Sequence, residues 1–353
     1  MKTPVRIGLV GFGFGGKFFH APLIASAENC ELAGVVTRAT ERKAEVAADY
    51  PGVPTVDSLA ELAALGVDAI AISSPAATHT QLTREAIALG IPVVSDKPFA
   101  MDGDEAAETV RLAREAGVLL GVYQNRRWDS DFLTLRKLLD EGVLGDVTHF
   151  ESSFERFADP AEVPLAGGGI LRDFGSHLVD QALVLFGPVA SVYAETSPAA
   201  GPAGEAGYER RFFASLTHEN GVISHLRGDW SQGAPGWRYR VQGTAASYTV
   251  QGQDGMDRQE RDLIGGKTPR SEGQAWGQED EADWGELQSG DTARRVPTER
   301  GRWDTFYPAF AEAVRGNGPL PVDAADAIAS MRVIDAARTS AAQGRVVAVE
   351  RQP

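Results

Sequence analysis

Short apolar runs alternate with helix-type segments through the first third of the chain, and this alternation constrains the fold more than any other feature. The apolar runs occupy residues 5–13, 30–38, 68–75, 91–98 and 118–124. The segments between them carry the residue spacing of amphipathic helices. Strands joined by such helices pair in parallel through right-handed βαβ units. The sequence therefore predicts an α/β fold that begins with a doubly wound parallel sheet.

Beyond about residue 146 the pattern changes, because strand-type runs follow one another without intervening helices. These runs occupy residues 146–155, 190–197, 210–217, 221–230, 237–244 and 247–252. Asn220-Gly221 lies between two of them and favours a hairpin with a type I′ turn, since both residues tolerate positive φ. We expect an α+β domain with an open, mostly antiparallel sheet.

The remaining segments complete the predicted organisation. Residues 251–300 are polar and acidic and are expected to form a long excursion, and Asp323 is expected to cap the closing helix. A chain of 353 residues is too long for one ordinary core. We expect two domains, a dinucleotide-binding domain at 1–123 and a substrate-binding and oligomerisation domain at 124–353.

Composition argues against several classes of protein. The formal net charge is −15, so the surface repels nucleic-acid phosphates and anionic membranes. No apolar segment approaches the ~20 residues of a membrane helix, and glycines interrupt the apolar run near the N-terminus that imitates a signal peptide. Cys30 is the only cysteine, which fits a reducing cytoplasm.

A G-x-G-x-x-G pattern follows the first predicted strand and opens the first helix. It consists of Gly11, Gly13 and Gly16, with Phe14 and Gly15 inside it. In a Rossmann dinucleotide-binding domain these glycines make the tight turn, admit the pyrophosphate and allow close helix packing. The alternative, a glycine-rich turn without a ligand, is weakened by the position of the pattern.

The end of the second strand bears on which dinucleotide binds. NAD-binding domains place an acidic residue there, whereas this chain has Thr37 and Arg38, with Arg42 about one turn later. Hydroxyl and guanidinium groups suit the 2′-phosphate of NADP. NADP is therefore the expected cofactor; NAD stays possible if both arginines are solvated surface cations.

Two further strand ends carry polar residues that would line the same crevice. Asp96, Lys97 and Pro98 follow one strand, and Ser74 follows another, with His79 at the start of the next helix. Ligands of open α/β sheets bind at the carboxyl ends of the strands, so Lys97 is a candidate catalytic residue. Alternatively, Lys97 is a solvated surface residue, and His79 only forms hydrogen bonds at the start of its helix.

Asp173 and His177 are spaced one helical turn apart if residues 172–187 form a helix. Three interpretations stay open on spacing alone. The pair is a proton-transfer unit, in which the carboxylate orients the imidazole. Alternatively, Asp173 is a helix N-cap beside a core histidine. A metal site is disfavoured because no third ligand follows at a typical spacing.

Taken together, "GLVGFGFGGKFFHAPLI", "SDKP" and "GGGILRDFGSHLVD" resemble the Gfo/Idh/MocA oxidoreductase family along nearly the whole chain. The subgroup with NADP-dependent scyllo-inositol dehydrogenases is similar in three further segments, "VYQNRRWDSDFLTLRKLL", "GQDGMDRQERDLIGGKTP" and "DTFYPAFAEAVRGNGPLPVDAADAI". The resemblance implies an enzyme, an NAD(P)-dependent dehydrogenase or reductase acting on CH–OH groups of a polyol or sugar. It also implies a homodimer or homotetramer, without nucleic-acid or membrane partners.

The resemblance assigns Lys97 to the reacting oxygen, and Asp173 and His177 to proton transfer. Family members usually have Glu-Lys-Pro where this chain has Asp96-Lys97-Pro98, and an asparagine contact to the cofactor is lost at Ala76. Two other functions on the same fold stay open: a non-catalytic dinucleotide-binding sensor and an NAD-dependent glycoside hydrolase. The residues expected to bind the cofactor are Gly11, Gly13, Phe14, Gly15, Gly16, Thr37, Arg38, Arg42, Ser74, His79, Asp96, Lys97, Asn125 and Arg127.

Overall fold

Six parallel strands form the sheet that the alternating pattern predicts. We analysed a computed structural model, which describes residues 3–157, 168–197, 208–234, 236–252 and 256–350. The strands are β1 (Val5–Val10), β2 (Cys30–Val36), β3 (Thr55–Val56), β4 (Ala69–Ile72), β5 (Val93–Ser95) and β6 (Leu120–Val122). Their order in the sheet is β3-β2-β1-β4-β5-β6, with every pair parallel. The doubly wound parallel sheet is therefore confirmed.

Helices connect these strands. They are α1 (Ala21–Ser26), α2 (Thr40–Asp49), α3 (Leu59–Ala64), α4 (His79–Ala88) and α5 (Gly103–Ala116), with a π-helical turn at Gly16–His20 before α1. All four residues of β4 are buried, as expected for a strand covered on both faces. Because β1, β4 and β5 are neighbours and parallel, their carboxyl ends lie side by side at one edge of the sheet.

The rest of the described chain forms seven further α-helices and a second sheet. Its elements are α6 (Ser130–Asp140), β7 (Val147–Glu155), α7 (Ile170–Asp173), α8 (Gly175–Phe186), β8 (Val189–Thr196), β9 (Arg211–His218), β10 (Ile223–Asp229), β11 (Trp237–Gly243), β12 (Ser247–Gln251), α9 (Arg258–Ile264), α10 (Pro269–Glu272), β13 (Gly285–Ser289), β14 (Thr292–Val296), α11 (Phe306–Val314), α12 (Ala324–Gln343) and β15 (Val347–Ala348).

The second sheet has the order β14-β13-β12-β11-β7-β10-β9-β8-β15. Only the β7–β10 pair among these described strands is parallel, so the expected open, mostly antiparallel sheet is confirmed. Among the described residues, no helix is long and apolar enough to span a bilayer. At the start of α12, Asp323 accepts a hydrogen bond from the Ala325 N–H at 2.8 Å, which is the predicted capping contact.

The hairpin at Asn220-Gly221 is confirmed, but the predicted type I′ turn is wrong. Gly221 has φ 91°, whereas none of the described non-glycine residues has a positive φ. The Asn220 side chain instead accepts from the Val222 N–H at 3.1 Å and donates to the Phe186 carbonyl at 3.0 Å. These side-chain bonds stabilise a loop in which asparagine keeps negative φ.

The long excursion expected at residues 251–300 contains regular secondary structure that the sequence pattern did not predict. This segment contains α9 and α10, and its β13–β14 hairpin extends the second sheet beside β12. The hairpin lies at the sheet edge, where most of its side chains are exposed and polar. Its sequence therefore lacks the apolar alternation by which the central strands were recognised.

The described chain divides into two compact units that are discontinuous in sequence. One consists of residues 1–125, 259–276 and 302–328, and the other of residues 126–258, 277–301 and 329–353. The first unit contains the parallel sheet and the second contains the mixed sheet. The expected domain boundary between residues 123 and 124 stays a prediction.

Gly16 provides a test of the packing at the start of the first helix. A Cβ atom there would lie 2.2 Å from the Gly11 carbonyl oxygen, whereas a Cβ at Gly13 would meet nothing within 4 Å. We expect Gly16→Ala to lower the free energy of unfolding by about 1–3 kcal/mol, and Gly13→Ala to lower it much less. Chemical denaturation of both variants measures the difference; equal losses would contradict the close contact.

Candidate active site

The glycine turn after β1 has the geometry that its sequence pattern predicts. Gly11 has φ 101°, and a Cβ there would lie 2.3 Å from the Ser73 carbonyl oxygen. Gly13 faces open space, so its backbone is accessible to a ligand. Phe14 is 58% exposed at the same turn. The turn thus leaves backbone N–H groups open at the start of a helix, an arrangement that suits a phosphate.

Basic side chains surround the end of β2. Thr37 is buried and its N–H donates to the Val56 carbonyl at 3.0 Å. Arg38 is exposed, and its Nε donates to the Asp57 carbonyl at 3.0 Å. Arg42 is exposed near the start of α2. A hydrogen bond from Lys43, at 2.6 Å, lowers the pKa of Asp57.

His79 lies at the N-terminal end of α4 and joins two loops of the parallel sheet. Its ring is buried, with Nδ1 2.9 Å from the Pro98 carbonyl oxygen and Nε2 2.8 Å from the Ser74 carbonyl oxygen. The Ser74 hydroxyl lies 2.7 Å from the Thr78 hydroxyl. This geometry gives His79 a loop-fixing role, and the cofactor contacts of His79 and Ser74 stay predictions.

Lys97 follows β5 directly, at the edge of the sheet where β1 and β4 also end. Its backbone N–H donates to Oδ1 of Asp96 at 2.8 Å. The peptide bond between Lys97 and Pro98 is cis. Burial alone would raise the pKa of Asp96, but the charge and hydrogen bond of His20 outweigh it and hold that pKa well below its usual range. An ionised carboxylate therefore lies beside the lysine.

Asp173 and His177 lie in the second unit, where most of residues 172–187 is helical, as the spacing argument assumed. The helix is broken at Phe174, which separates α7 from α8. The alternative of an Asp173 N-cap is wrong, because Asp173 is the last residue of α7 and Phe174 is the N-cap of α8. The Phe174 carbonyl accepts a hydrogen bond from the His177 N–H at 3.1 Å. This bond keeps Asp173 and His177 about one helical turn apart.

His177 is buried beside an aromatic ring. The imidazole is 4% exposed and packs edge-to-face against Phe154, at 6.4 Å between ring centroids. Asp173 is half-buried at the end of α7. A desolvated imidazole has few competing water contacts, which suits a group that exchanges a proton with a bound ligand.

Asn125 and Arg127 lie in a 3₁₀ turn over Asn125–Trp128. Asn125 is buried and belongs to the first unit. Arg127 belongs to the second unit, where its Nε and Nη2 bind both oxygens of Asp180 at 2.8 and 2.6 Å. Since Asp180 lies on α8 within one turn of His177, this bidentate ion pair anchors the helix that carries the histidine.

Two family models cover most of the chain. Residues 5–124 match the oxidoreductase family's NAD-binding Rossmann fold, and residues 136–349 match that family's C-terminal alpha/beta domain. The chain belongs to the Gfo/Idh/MocA oxidoreductase family. It is accordingly a dehydrogenase or reductase with an NAD(P)-binding Rossmann domain, as the sequence motifs predict.

Three relatives show how far the likeness extends. An uncharacterised oxidoreductase of Escherichia coli, YdgJ, is 38% identical, covering 95% of this chain and 96% of its own. The Bacillus subtilis scyllo-inositol 2-dehydrogenase (NADP(+)) IolW is 32% identical, covering 98% and 96%. A solved oxidoreductase structure from Yersinia pestis has a TM-score of 0.89 at 35% identity, covering 100% and 99%. The similarity thus includes both sheets.

This family member also holds a cluster of carboxylates in its second unit that sequence reasoning missed. One carboxylate oxygen each from Asp129, Asp131 and Asp257 lies within 4.8 Å of the others. Ser130 Oγ lies 3.1 Å from Asp257 and 3.0 Å from Glu279. Asp257 and Glu279 are distant in sequence from Asp129 and Asp131. The close spacing of Asp129 and Asp131 is the sequence signal that could have indicated the cluster.

Burial governs the charge of this cluster. It raises the pKa of Asp129 well above its usual range, despite the Arg126 guanidinium at 3.2 Å. Burial also raises the pKa of Asp131, which is paired with Arg238 at 3.0 Å. The pKa of Glu279 rises to about 7, from burial first and the charge of Asp257 second. Glu279 is therefore about half protonated at neutral pH.

The raised pKa of Glu279 predicts how stability depends on pH. Because the folded state binds this proton more tightly than the unfolded chain, the contribution of Glu279 to stability falls as pH rises from about 4.5 to about 7. We expect Glu279→Gln to raise the melting temperature at pH 8 by a few degrees, ~2–5 °C, and to leave it nearly unchanged at pH 5. The exposed Glu281→Gln is the matched control; identical pH profiles in both variants would contradict the pKa shift.

Proposed function

We propose that this protein is an NADP-dependent dehydrogenase that transfers a hydride between nicotinamide and a carbinol carbon of an inositol-like polyol or sugar. The observation that carries the proposal is the position of Lys97 at the carboxyl end of β5, at the sheet edge that also carries the glycine turn. The similarity to the scyllo-inositol dehydrogenase of Bacillus subtilis, at 32% identity over nearly the whole chain, supports the substrate class.

The residues present fit an NADP molecule. Gly13 is open to a pyrophosphate group, and a helix N-terminus follows it. At the end of β2 the chain offers Thr37, Arg38 and Arg42, where an NAD-specific domain has an acidic residue. The Nε bond from Arg38 to the Asp57 carbonyl holds the guanidinium at this strand end. Asn125 and Ser74 are proposed as further cofactor contacts.

Lys97, Asp173 and His177 are proposed as the catalytic residues. When bound, NADP supplies the hydride acceptor at C4 of the nicotinamide. The Lys97 ammonium donates to the substrate oxygen and stabilises the alkoxide charge that develops there as the hydroxyl proton leaves. His177 takes the hydroxyl proton in oxidation and returns it in reduction, while Asp173 orients and charge-stabilises the imidazole. In both directions of the reaction, the proton is therefore exchanged with a protein side chain.

We also propose that the protein assembles as a homodimer or homotetramer. In the second sheet, Phe213, His225 and Arg227 project from one face, while α7 and α8 pack on β9 and β10. A half-exposed sheet face bearing an aromatic residue suits a symmetric contact between copies. Light scattering after size exclusion should give a dimer or tetramer mass, and a monomer at all concentrations would contradict this proposal.

Removal of either proposed catalytic group tests the chemistry. We expect Lys97→Ala and His177→Ala each to lower kcat by at least about 100-fold, because each removes charge stabilisation or proton transfer in the transition state. NADPH affinity, measured by fluorescence titration, should change by less than about threefold. Lys137→Ala, at an exposed site on α6, is the control for losing a lysine. Near-normal kcat in either variant would refute its assignment.

The arginines at the end of β2 test the choice of cofactor. We expect Arg38→Ala and Arg42→Ala to weaken NADPH binding by about 10- to 100-fold, since each loses a charge-assisted bond to the 2′-phosphate. NADH binding should change by less than about threefold. Arg114→Ala, at an exposed position on α5, is the matched control. Equal losses for both cofactors would show that these arginines do not read the 2′-phosphate.

A further inference from the structure

The carboxylate of Asp96 uses both oxygens to join three separate segments of the first unit. Its Oδ1 accepts the Lys97 N–H at 2.8 Å. Its Oδ2 accepts the Ser73 hydroxyl at 2.9 Å and lies 3.2 Å from Nε2 of His20. Ser73 follows β4, and His20 ends the π-helical turn that precedes α1. One largely buried anion thus holds the loop of the candidate catalytic lysine against two other elements.

His20 is itself held by a residue from a distant part of the chain. Its side chain is completely buried, and its Nδ1 lies 2.5 Å from the hydroxyl of Tyr307 on α11. The ring also packs against Tyr123, at 4.3 Å between centroids. A carboxylate only accepts hydrogen bonds, so Nε2 of His20 donates to Asp96. Tyr307, His20 and Asp96 thus form a continuous chain of polar contacts.

The same carboxylate lies directly beneath the glycine turn. A Cβ atom on Gly15 would lie 3.0 Å from Oδ2 of Asp96 and 2.7 Å from Oγ of Ser73. The space that a side chain would fill at Gly15 is therefore taken by these two oxygen atoms. A change in position of the turn at Gly15 would therefore alter the packing around Asp96, whose Oδ1 accepts the Lys97 N–H.

We propose that His20 and Tyr307 are positioning residues, which act through Asp96 to hold Lys97 in register with the glycine turn. This inference rests on the proposed function, because it takes Lys97 as the group that contacts the substrate oxygen. The contacts named above reach the backbone at Lys97 and the underside of the turn, and the open face of Gly13 is not among them. Its loss should consequently reduce turnover more than it reduces cofactor binding.

Three substitutions separate this role from general packing. Tyr307→Phe removes only the hydroxyl that contacts Nδ1 of His20. His20→Asn places an amide near Nδ1 and removes the donor to Asp96, whereas His20→Gln can present an amide N–H near the position of Nε2. Tyr50→Phe, which removes a phenol hydroxyl elsewhere in the first unit, is the matched control. Melting temperatures show whether each variant is folded.

The first readout is the division of the effect between kcat and cofactor affinity, with scyllo-inositol and NADP as probes. We expect kcat to fall by about 10- to 100-fold in His20→Asn, as for a small displacement of a reacting group. It should fall less in Tyr307→Phe and be largely restored in His20→Gln. The NADPH dissociation constant should stay within about threefold of wild type in all variants.

The second readout needs no substrate. Hydrogen–deuterium exchange of peptides spanning residues 96–101 reports the Lys97 N–H bond to Asp96. Exchange should be faster in His20→Asn and Tyr307→Phe, and unchanged in His20→Gln and Tyr50→Phe. Wild-type exchange in all variants would overturn the inference, as would wild-type kcat in His20→Asn or a loss confined to NADPH affinity.

The two readouts also distinguish this inference from the proposed function. If the wild-type enzyme binds NADPH but reduces NADP with no member of a panel of inositols, aldoses and anhydro-sugars, the proposed function fails. In that case the catalytic part of the inference fails with it, and the exchange rates decide alone whether the network holds the Lys97 loop. If the wild type is active and His20→Asn is equally active, only the inference fails.

Discussion

The carboxylate of Asp96 is the interaction on which the candidate site of the first unit depends. It lies where β1, β4 and β5 all end, and it receives bonds from Ser73, His20 and the Lys97 backbone. Parallel strands bring their carboxyl ends to one edge, but they do not by themselves fix the loops that follow. Here a single ionised side chain does so, which ties the glycine turn and the lysine to a common point.

Much of the first unit could be predicted from the sequence, because the relevant signals are local. The strand and helix periods predicted the sheet, and the spacing within Gly11–Gly16 predicted an open turn. The partners of Asp96 were not predictable in this way. His20 and Tyr307 are 287 positions apart, and no spacing rule relates them. His79 shows the same limit, since its ring binds carbonyls of two loops that only the folded sheet brings together.

The second unit deviates from its sequence-based expectations where tertiary contacts override local preference. The helical period across 172–187 gave no sign of the break at Phe174, yet the spacing of Asp173 and His177 survives it through one backbone hydrogen bond. The Asn220 side chain replaces the expected turn conformation with its own bonds to backbone. In the carboxylate cluster, residues with surface-type sequence contexts become buried, so their raised pKa values could not be inferred from composition.

Direct hydride transfer from a carbinol carbon to NADP is the reaction proposed for this enzyme, and isotope transfer tests it most directly. The enzyme would be incubated with NADP and scyllo-inositol carrying deuterium on its ring carbons, and the reduced cofactor analysed by NMR and mass spectrometry. We expect a single deuteron at C4 of the nicotinamide, on one face only. Reduced cofactor without deuterium would contradict direct transfer, and no reduction with any deuterated polyol or sugar would contradict the proposed substrate class.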